Sequence, residues 1–222
     1  MPKKFAWSYS ALTGYETCPK QHYHLKVAKD VREAPSKAML EGQKVHAAFE
    51  QRVRDKKPLP GNLSQHEPLC KRFDKTSGSV SVELKLALNQ SLEPTEFFAR
   101  DAWLRGVLDV MVTKGKVAKV FDYKTGKRKP DSEQLKLFAA IVFAAYDHIE
   151  IVDTSFLWLN TREVDSARFQ RDPDENIIWR EFEPRVQSMS DAYDSGHFPA
   201  RPSGLCRGWC PVKTCDHWEP KE

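Results

Sequence analysis

An α/β fold, a mixed sheet flanked by helices, is what this 222-residue sequence predicts, on three observations. Residues 37–55 repeat apolar side chains at three- and four-residue steps, which marks a helix with one inward face. Two alternating segments, Leu104–Val112 and Val117–Lys124, flank a short Lys114-Gly115-Lys116 turn and read as a hairpin. A helical stretch from about Glu133 to Tyr146 then leads into the β-branched and aromatic run Ile149–Leu159, a crossover that returns the chain to the sheet.

In order along the chain, Ser8 and Ser10 are N-cap residues for a first helix carrying Tyr15, Cys18 and Tyr23, with an interruption at Pro19. Pro35-Ser36 opens a second helix, Lys37 to Asp55, whose inward face holds Met39, Gly42, His46, Phe49 and Val53. Lys57-Pro58-Leu59-Pro60-Gly61-Asn62 is loop. Val80–Leu88 alternates as a strand with Glu83 inside it. Phe97–Arg100 and Trp103–Val112 follow as strands, then Val117–Lys124. Asp131-Ser132 caps the Glu133–Tyr146 helix, and an irregular polar stretch after Leu159 precedes a helix over Glu183–Ser195. The tail from Gly196 is rich in Pro, Gly, Trp and Cys and needs something besides an apolar core to order it. With no repeat, linker or low-complexity segment, residues 1–222 read as one domain.

Composition bounds the function only loosely. Hydrophobic content of 40% and charged content of 30% mark a soluble globular protein, and a net charge of +4 does not by itself indicate nucleic acid. Basic residues gather at Lys3-Lys4, at Lys20–Lys29 and at Lys127-Arg128-Lys129. A solvated face explains most such clusters, and only the last gains weight from its position, just after Lys124. No apolar run is long enough to cross a membrane, and Met1-Pro2-Lys3-Lys4 lacks the apolar core of a secretory signal. The expected setting is the cytoplasm, where disulfides are rare, so five cysteines, an odd number, need another explanation.

The chemistry concentrates in the hairpin. Side chains alternate along a strand, so Asp122 and Lys124 point the same way, and Asp109 on the neighbouring strand reaches the same patch. Two carboxylates and a lysine converging on one surface suit a hard divalent cation with a cationic helper, a combination fitted to hydrolysis of a phosphodiester. An isolated aspartate at a strand end is ordinarily a surface or turn residue. An Asp-x-Lys pair closing an apolar strand costs desolvation without a purpose unless it is functional. A plain Lys124–Asp122 salt bridge is the structural alternative, and it is compatible with the metal-free state.

These residues resemble the PD-(D/E)XK nuclease superfamily and, within it, the RecB-like group that includes CRISPR-associated RecB-like and phage-type exonucleases. The resemblance runs over nearly the whole chain. It begins at Trp7-Ser8-Tyr9-Ser10-Ala11-Leu12 and Tyr15–Pro19, and continues through Glu41-Gly42-Gln43-Lys44-Val45-His46, a Gly-x-x-x-His helix motif. Gly106-Val107-Leu108-Asp109, Asp122-Tyr123-Lys124-Thr125-Gly126-Lys127 and Gln134–Phe138 follow in the family's order. It implies a restriction-endonuclease-like mixed sheet flanked by helices, with Asp109 and Asp122 as metal ligands and Lys124 supporting charge at phosphorus. His46 becomes a third ligand, where a lone helical histidine would otherwise be a hydrogen-bonded core residue. Glu83 matches the strand glutamate that precedes the hairpin, and either touches the metal's water or anchors a neighbour. Gln134 fits the Gln-x-x-x-Tyr element that orients the site, but Phe138 replaces the tyrosine, so it either stacks on nucleic acid or is a buried helix residue. Lys127, Arg128 and Lys129 are the implied phosphate contacts.

In several RecB-like nucleases one N-terminal and three C-terminal cysteines hold a [4Fe-4S] cluster that joins the two ends. Cys18, Cys206, Cys210 and Cys215 match that set, which places residues 1–30 and 200–222 in one cluster region. The Cys-x3-Cys-x4-Cys spacing departs from the family's tighter Cys-x2-Cys-x5-Cys, which leaves Zn2+, with His217 as a substitute ligand, as the alternative. Cys70 has no part in this scheme. The resemblance therefore implies a Mg2+- or Mn2+-dependent deoxyribonuclease, an exonuclease on single-stranded DNA or DNA ends. Its setting would be the cytoplasm of a bacterial or phage-infected cell, with replication or recombination proteins as candidate partners. The rivals are a non-catalytic nucleic-acid-binding module, an iron–sulfur sensor, and a restriction-like endonuclease.

Overall fold

A computed structural model describes residues 5–129 and 133–220. They fold as two compact units: Ser36–Arg180, and a second formed by the residues up to Pro35 together with those from Glu181 onward. The proposed cluster regions at the two ends of the chain thus fall in the same unit.

In that terminal unit, helix α1 (Tyr9–Thr17) is capped by Ser8, whose side chain accepts from the Ala11 amide; Ser10 lies inside the helix. Cys18 is extended, and the chain resumes at Pro19 in the short helix α2 (Pro19–His22) and a π-turn over Tyr23–Ala28. The expected interruption at Pro19 is therefore real, and it takes Cys18 out of the helix. Arg185 forks onto the Glu16 carboxylate at 2.6 and 2.8 Å, and the Lys20 amide donates to the Pro199 carbonyl at 3.2 Å. These bonds tie the beginning of the chain to its end.

The larger unit is a six-stranded mixed sheet flanked by helices. Helix α3 spans Lys37–Asp55 with Ser36 as N-cap. Phe49 and Val53 enter the core as expected, but Met39 does not: it is 53% exposed. Helical periodicity tells which side a residue is on, not whether anything covers that side. After a 3-10 turn over Gly61–His66, helix α4 (Glu67–Asp74) packs beside α3; its eight residues are too few for a periodic pattern to stand out in the sequence.

The strands are β1 (Ser79–Leu88), β2 (Pro94–Thr95), β3 (Leu104–Lys114), β4 (Val117–Lys124), β5 (Ile151–Trp158) and β6 (Glu163–Gln170). Their order is β2-β1-β3-β4-β5-β6, with β4 and β5 parallel and every other pair antiparallel. Helix α5 (Glu133–Ala145) supplies the crossover between the parallel pair, and its Leu137–Phe143 segment is wholly buried. Its expected cap, Asp131-Ser132, lies outside the described residues.

Two strand expectations need correction. Phe97–Arg100 is a turn region, and only Pro94–Thr95 pairs with β1. Asn89 explains this, since its side-chain oxygen accepts from the Ser91 and Glu93 amides and folds the chain back before a longer strand can form. The polar stretch after Leu159 contains the edge strand β6, and helix α6 begins at Arg171, well before Glu183, running to Ser195 with a break at Asp172. An edge strand with one solvated face needs few apolar residues, and its charges discourage further pairing.

Candidate active site

The site is built where the sheet changes face. Gly106 faces α5, with Ile141 Cδ1 3.0 Å from where a side chain would begin, yet Val110 and Val112 pack with Phe49 and Val53 of α3. Strict alternation would put all three on one side. Between them the β1–β3 ladder runs Val82↔Val110 and Leu84↔Leu108, skipping the pair Glu83–Asp109, and Glu83 has φ +51°. A left-handed, non-glycine residue inside a strand is strained, and such strain collects at functional sites. It turns Glu83 and Asp109 toward His46.

On the other side of Asp109 the β3–β4 ladder ends at Val110↔Phe121. The Asp109 carboxylate takes over from the backbone there. Its Oδ2 accepts from the Tyr123 amide at 2.7 Å, while Oδ1 meets His46 Nδ1 at 3.1 Å. His46, Glu83 and Asp109 bring one ligand atom each within 4.8 Å of one another. Gly42, one turn before His46, allows α3 to approach closely: a β-carbon there would lie 3.2 Å from Thr125 Oγ1.

Asp122 and Lys124 share a face, as strand alternation requires. Asp122 is 6% exposed and its Oδ2 pairs with Lys124 Nζ at 2.7 Å. Lys124 Nζ also donates to Gln134 Oε1 at 2.8 Å and stands 4.5 Å over the Phe156 ring. The salt bridge weighed as an alternative is present, and Asp122, expected as a direct ligand, is not among the residues whose ligand atoms meet within 4.8 Å, though Asp109 and His46 act on its charge. Phe156 was not singled out from the sequence; its parallel pairing with Asp122 brings it under the lysine.

The electrostatics describe a cation-seeking site. Burial, then repulsion from Asp109, raises the Glu83 carboxyl above its ordinary range. Burial likewise raises Asp122, against the pull of Lys124, with Asp109 adding to the rise. His46 is raised, first by its hydrogen bond to Asp109. Carboxylates held this close repel one another unless positive charge joins them. The oxygen-rich donor set with one imidazole fits a divalent cation held by Asp109, Glu83 and His46, with Asp122 alongside.

The strain at Glu83 makes a test. Glu83→Gly is expected to raise stability by about 1 kcal/mol, because glycine adopts this φ freely, while Mn2+ binding weakens. Urea unfolding and calorimetric titration read the two effects; a destabilised glycine variant would show that the glutamate is not strained.

The remaining expected residues fall elsewhere. Phe138 is buried in α5 at 4% exposure, which leaves its ring unavailable for stacking on a strand. Arg128 is engaged by Glu163 and Asp165 of β6, whereas Lys127 and Lys129 are exposed. In the terminal unit Cys18, Cys206, Cys210 and Cys215 line one small cavity of about 20 Å³, together with His217. The Arg201 amide points at Cys18 Sγ and the Ser203 amide at Cys206 Sγ, each at 3.5 Å. Cys70 is a buried residue of the α3–α4 core, its thiol pushed up to about 11 by burial.

No curated protein sequence matches the chain. Among solved structures it superposes on SSO0001 with a TM-score of 0.50 at 14% identity, over 98% of this chain and 89% of that one. An exonuclease candidate from Eubacterium rectale gives a TM-score of 0.52 at 14% identity, over 96% of this chain and 86% of that one. At such identities the likeness concerns the fold. The sequence profile of the PD-(D/E)XK nuclease superfamily matches residues 6–215, nearly the whole chain, and the protein belongs to that superfamily.

Proposed function

We propose that this nuclease is a Mg2+- or Mn2+-dependent deoxyribonuclease of the RecB-like group, acting as an exonuclease on single strands or DNA ends. The observation that carries the reading is the group His46, Glu83 and Asp109, with the Asp122–Lys124 pair near enough for Asp109 and His46 to act on the Asp122 carboxyl. A bound divalent ion supplies Lewis acidity toward a phosphoryl oxygen and makes water a better nucleophile. Lys124, steered by Gln134 and Asp122, stabilises negative charge that builds at phosphorus. Its aliphatic stem and the Phe156 ring keep that charge out of bulk water, where it would count for less. His46 must give up its proton to act as a ligand, so metal affinity falls as pH drops through its raised pKa.

The test uses end-labelled single- and double-stranded DNA with Mn2+ or Mg2+, beside Asp122→Ala. Cutting that disappears in the variant and with chelator is the expected result, and the product ladder separates exo from endo action. A folded wild type that binds DNA and never cuts it would replace the enzyme with a binding module.

We also propose that the four cysteines hold a [4Fe-4S] cluster with a structural role. Among the described residues, no three of these sulfurs lie within 4.8 Å of one another. Four cysteines lining one cavity supply the thiolate set such a cluster takes, and Zn2+ with His217 is the alternative. Iron and sulfide analysis of anaerobically purified protein decides between them.

A further inference from the structure

A second feature of the larger unit lies beside the metal-ligand cleft and has no part in the hydrolytic chemistry. The cleft, about 840 Å³, is lined by His46, Glu83 and Asp109 and extends to Val107. Two residues further back along β3 is Arg105, and Lys85 pairs directly with Val107 from β1. Residues 105, 107 and 109 share one strand face, away from α5, which Gly106 meets on the other side. Phe97 and Phe98 stand over this row, their rings edge to face at 5.1 Å. Lys85 Nζ lies 5.8 and 5.7 Å from the two ring centres, and the Arg105 guanidinium 5.6 and 5.9 Å.

Phe98 is 77% exposed, among the most exposed of the large apolar side chains described. Neither cation has a carboxylate partner among the described residues, and Arg105 Nε makes no hydrogen bond. An exposed ring beside a half-buried one, with two cations against them, does nothing for the core. It matches the chemistry of a nucleic-acid strand, with rings to stack bases and cations to meet phosphates. The four steps from Asp109 back to Arg105 span about 13 Å at strand rise. That is about four nucleotides at the stacked spacing of a duplex strand, and about two in a stretched one.

We propose that Phe97 and Phe98, with Lys85 and Arg105, form a shelf that stacks unpaired bases of a single DNA strand leading into the cleft. This rests on the nuclease reading and adds its substrate preference: a base in a duplex has its faces covered and cannot use the shelf. The shelf selects single strands, and it does so away from the reacting phosphate.

The experiment uses the full chain with Ca2+ in place of the catalytic ion, and measures anisotropy of labelled dT12 and of a hairpin duplex. Phe98→Leu keeps an apolar side chain and removes the ring; Phe98→Trp keeps the ring. The expected result is a loss of about tenfold in dT12 affinity for the leucine variant, recovery in the tryptophan variant, and no change for the duplex. A single abasic position walked along dT12 should weaken wild-type binding at one short stretch and leave Phe98→Leu indifferent to it. Equal dT12 affinity in wild type and Phe98→Leu would overturn the shelf, as would an equal loss for duplex. Hydrolysis by the wild type with Mn2+ is scored separately, so a binding shelf on a chain that does not cut sinks the nuclease reading alone. Cutting with an unaltered KM in Phe98→Leu sinks the shelf alone.

Discussion

Lys124→Met is expected to lower kcat by about 10²- to 10³-fold, the usual cost of deleting one preorganised group aimed at developing charge. Methionine keeps most of the stem over Phe156 and removes only the ammonium, so packing is nearly conserved. The loss also reaches Asp122. That carboxyl is buried and already raised, and Lys124 is the main influence holding it down. Without the lysine its pKa climbs further, and the carboxylate needed beside the metal forms only at higher pH. Residual activity of the variant should therefore rise with pH across neutrality more steeply than that of the wild type. Single-turnover rates at saturating Mn2+ between pH 6 and 9 check both points, with calorimetric Mn2+ binding at high pH as the control. A variant within threefold of wild type, as an order-of-magnitude threshold, would remove Lys124 from the chemistry.

How much of the fold and site is legible in the sequence depends on whether a feature is local. Helix α3 carries its own cap, Ser36, and a periodic face, and its limits agree with those read from the sequence. The β3–β4 hairpin carries alternation and a turn, so the pattern of residues alone assigns Asp122 and Lys124 to one face. The face change at Glu83 was not legible. A glycine or asparagine would have signalled φ above zero, but a glutamate gives no such sign, because the strain is imposed by what surrounds it. Edge strand β6 was hidden for a different reason: Arg168 and Asp153 satisfy each other across strands, replacing the apolar contacts that mark a strand. The four cysteines, picked out by count and position, line one cavity of the terminal unit, a meeting that only the fold shows. Arg128 illustrates the opposite error. As sequence it belongs to a basic cluster open to phosphate, and in the fold two acids on β6 occupy it.

Arg52→Met should destabilise the larger unit by about 3 kcal/mol, since removing one member of a buried ion network strands the others. Only 7% of the Arg52 side chain is exposed, where it passes between α3 and α4. Its Nε donates to Glu67 at 2.8 Å and its Nη2 to Asp74 at 2.8 Å. Glu67 also accepts from the Leu59 amide and Asp74 from Lys56, so each acid keeps one donor in the variant and both can draw water. That rehydration sets the figure toward the low end of what breaking a buried pair costs. The pH dependence has a definite sign. The Arg52 and Lys56 donors hold the Asp74 carboxyl down at about 2, below its ordinary 3.8. Its stabilising share is present above pH 3.8 and is lost as pH falls toward 2, so wild type and variant should converge in acid. Urea unfolding at pH 7 and pH 3 measures the gap at both ends. Adding Glu67→Gln and Asp74→Asn to Arg52→Met removes the stranded charges and should return much of the loss. If the triple variant is no more stable than the single one, the cost lies in packing of the guanidinium stem and not in the network.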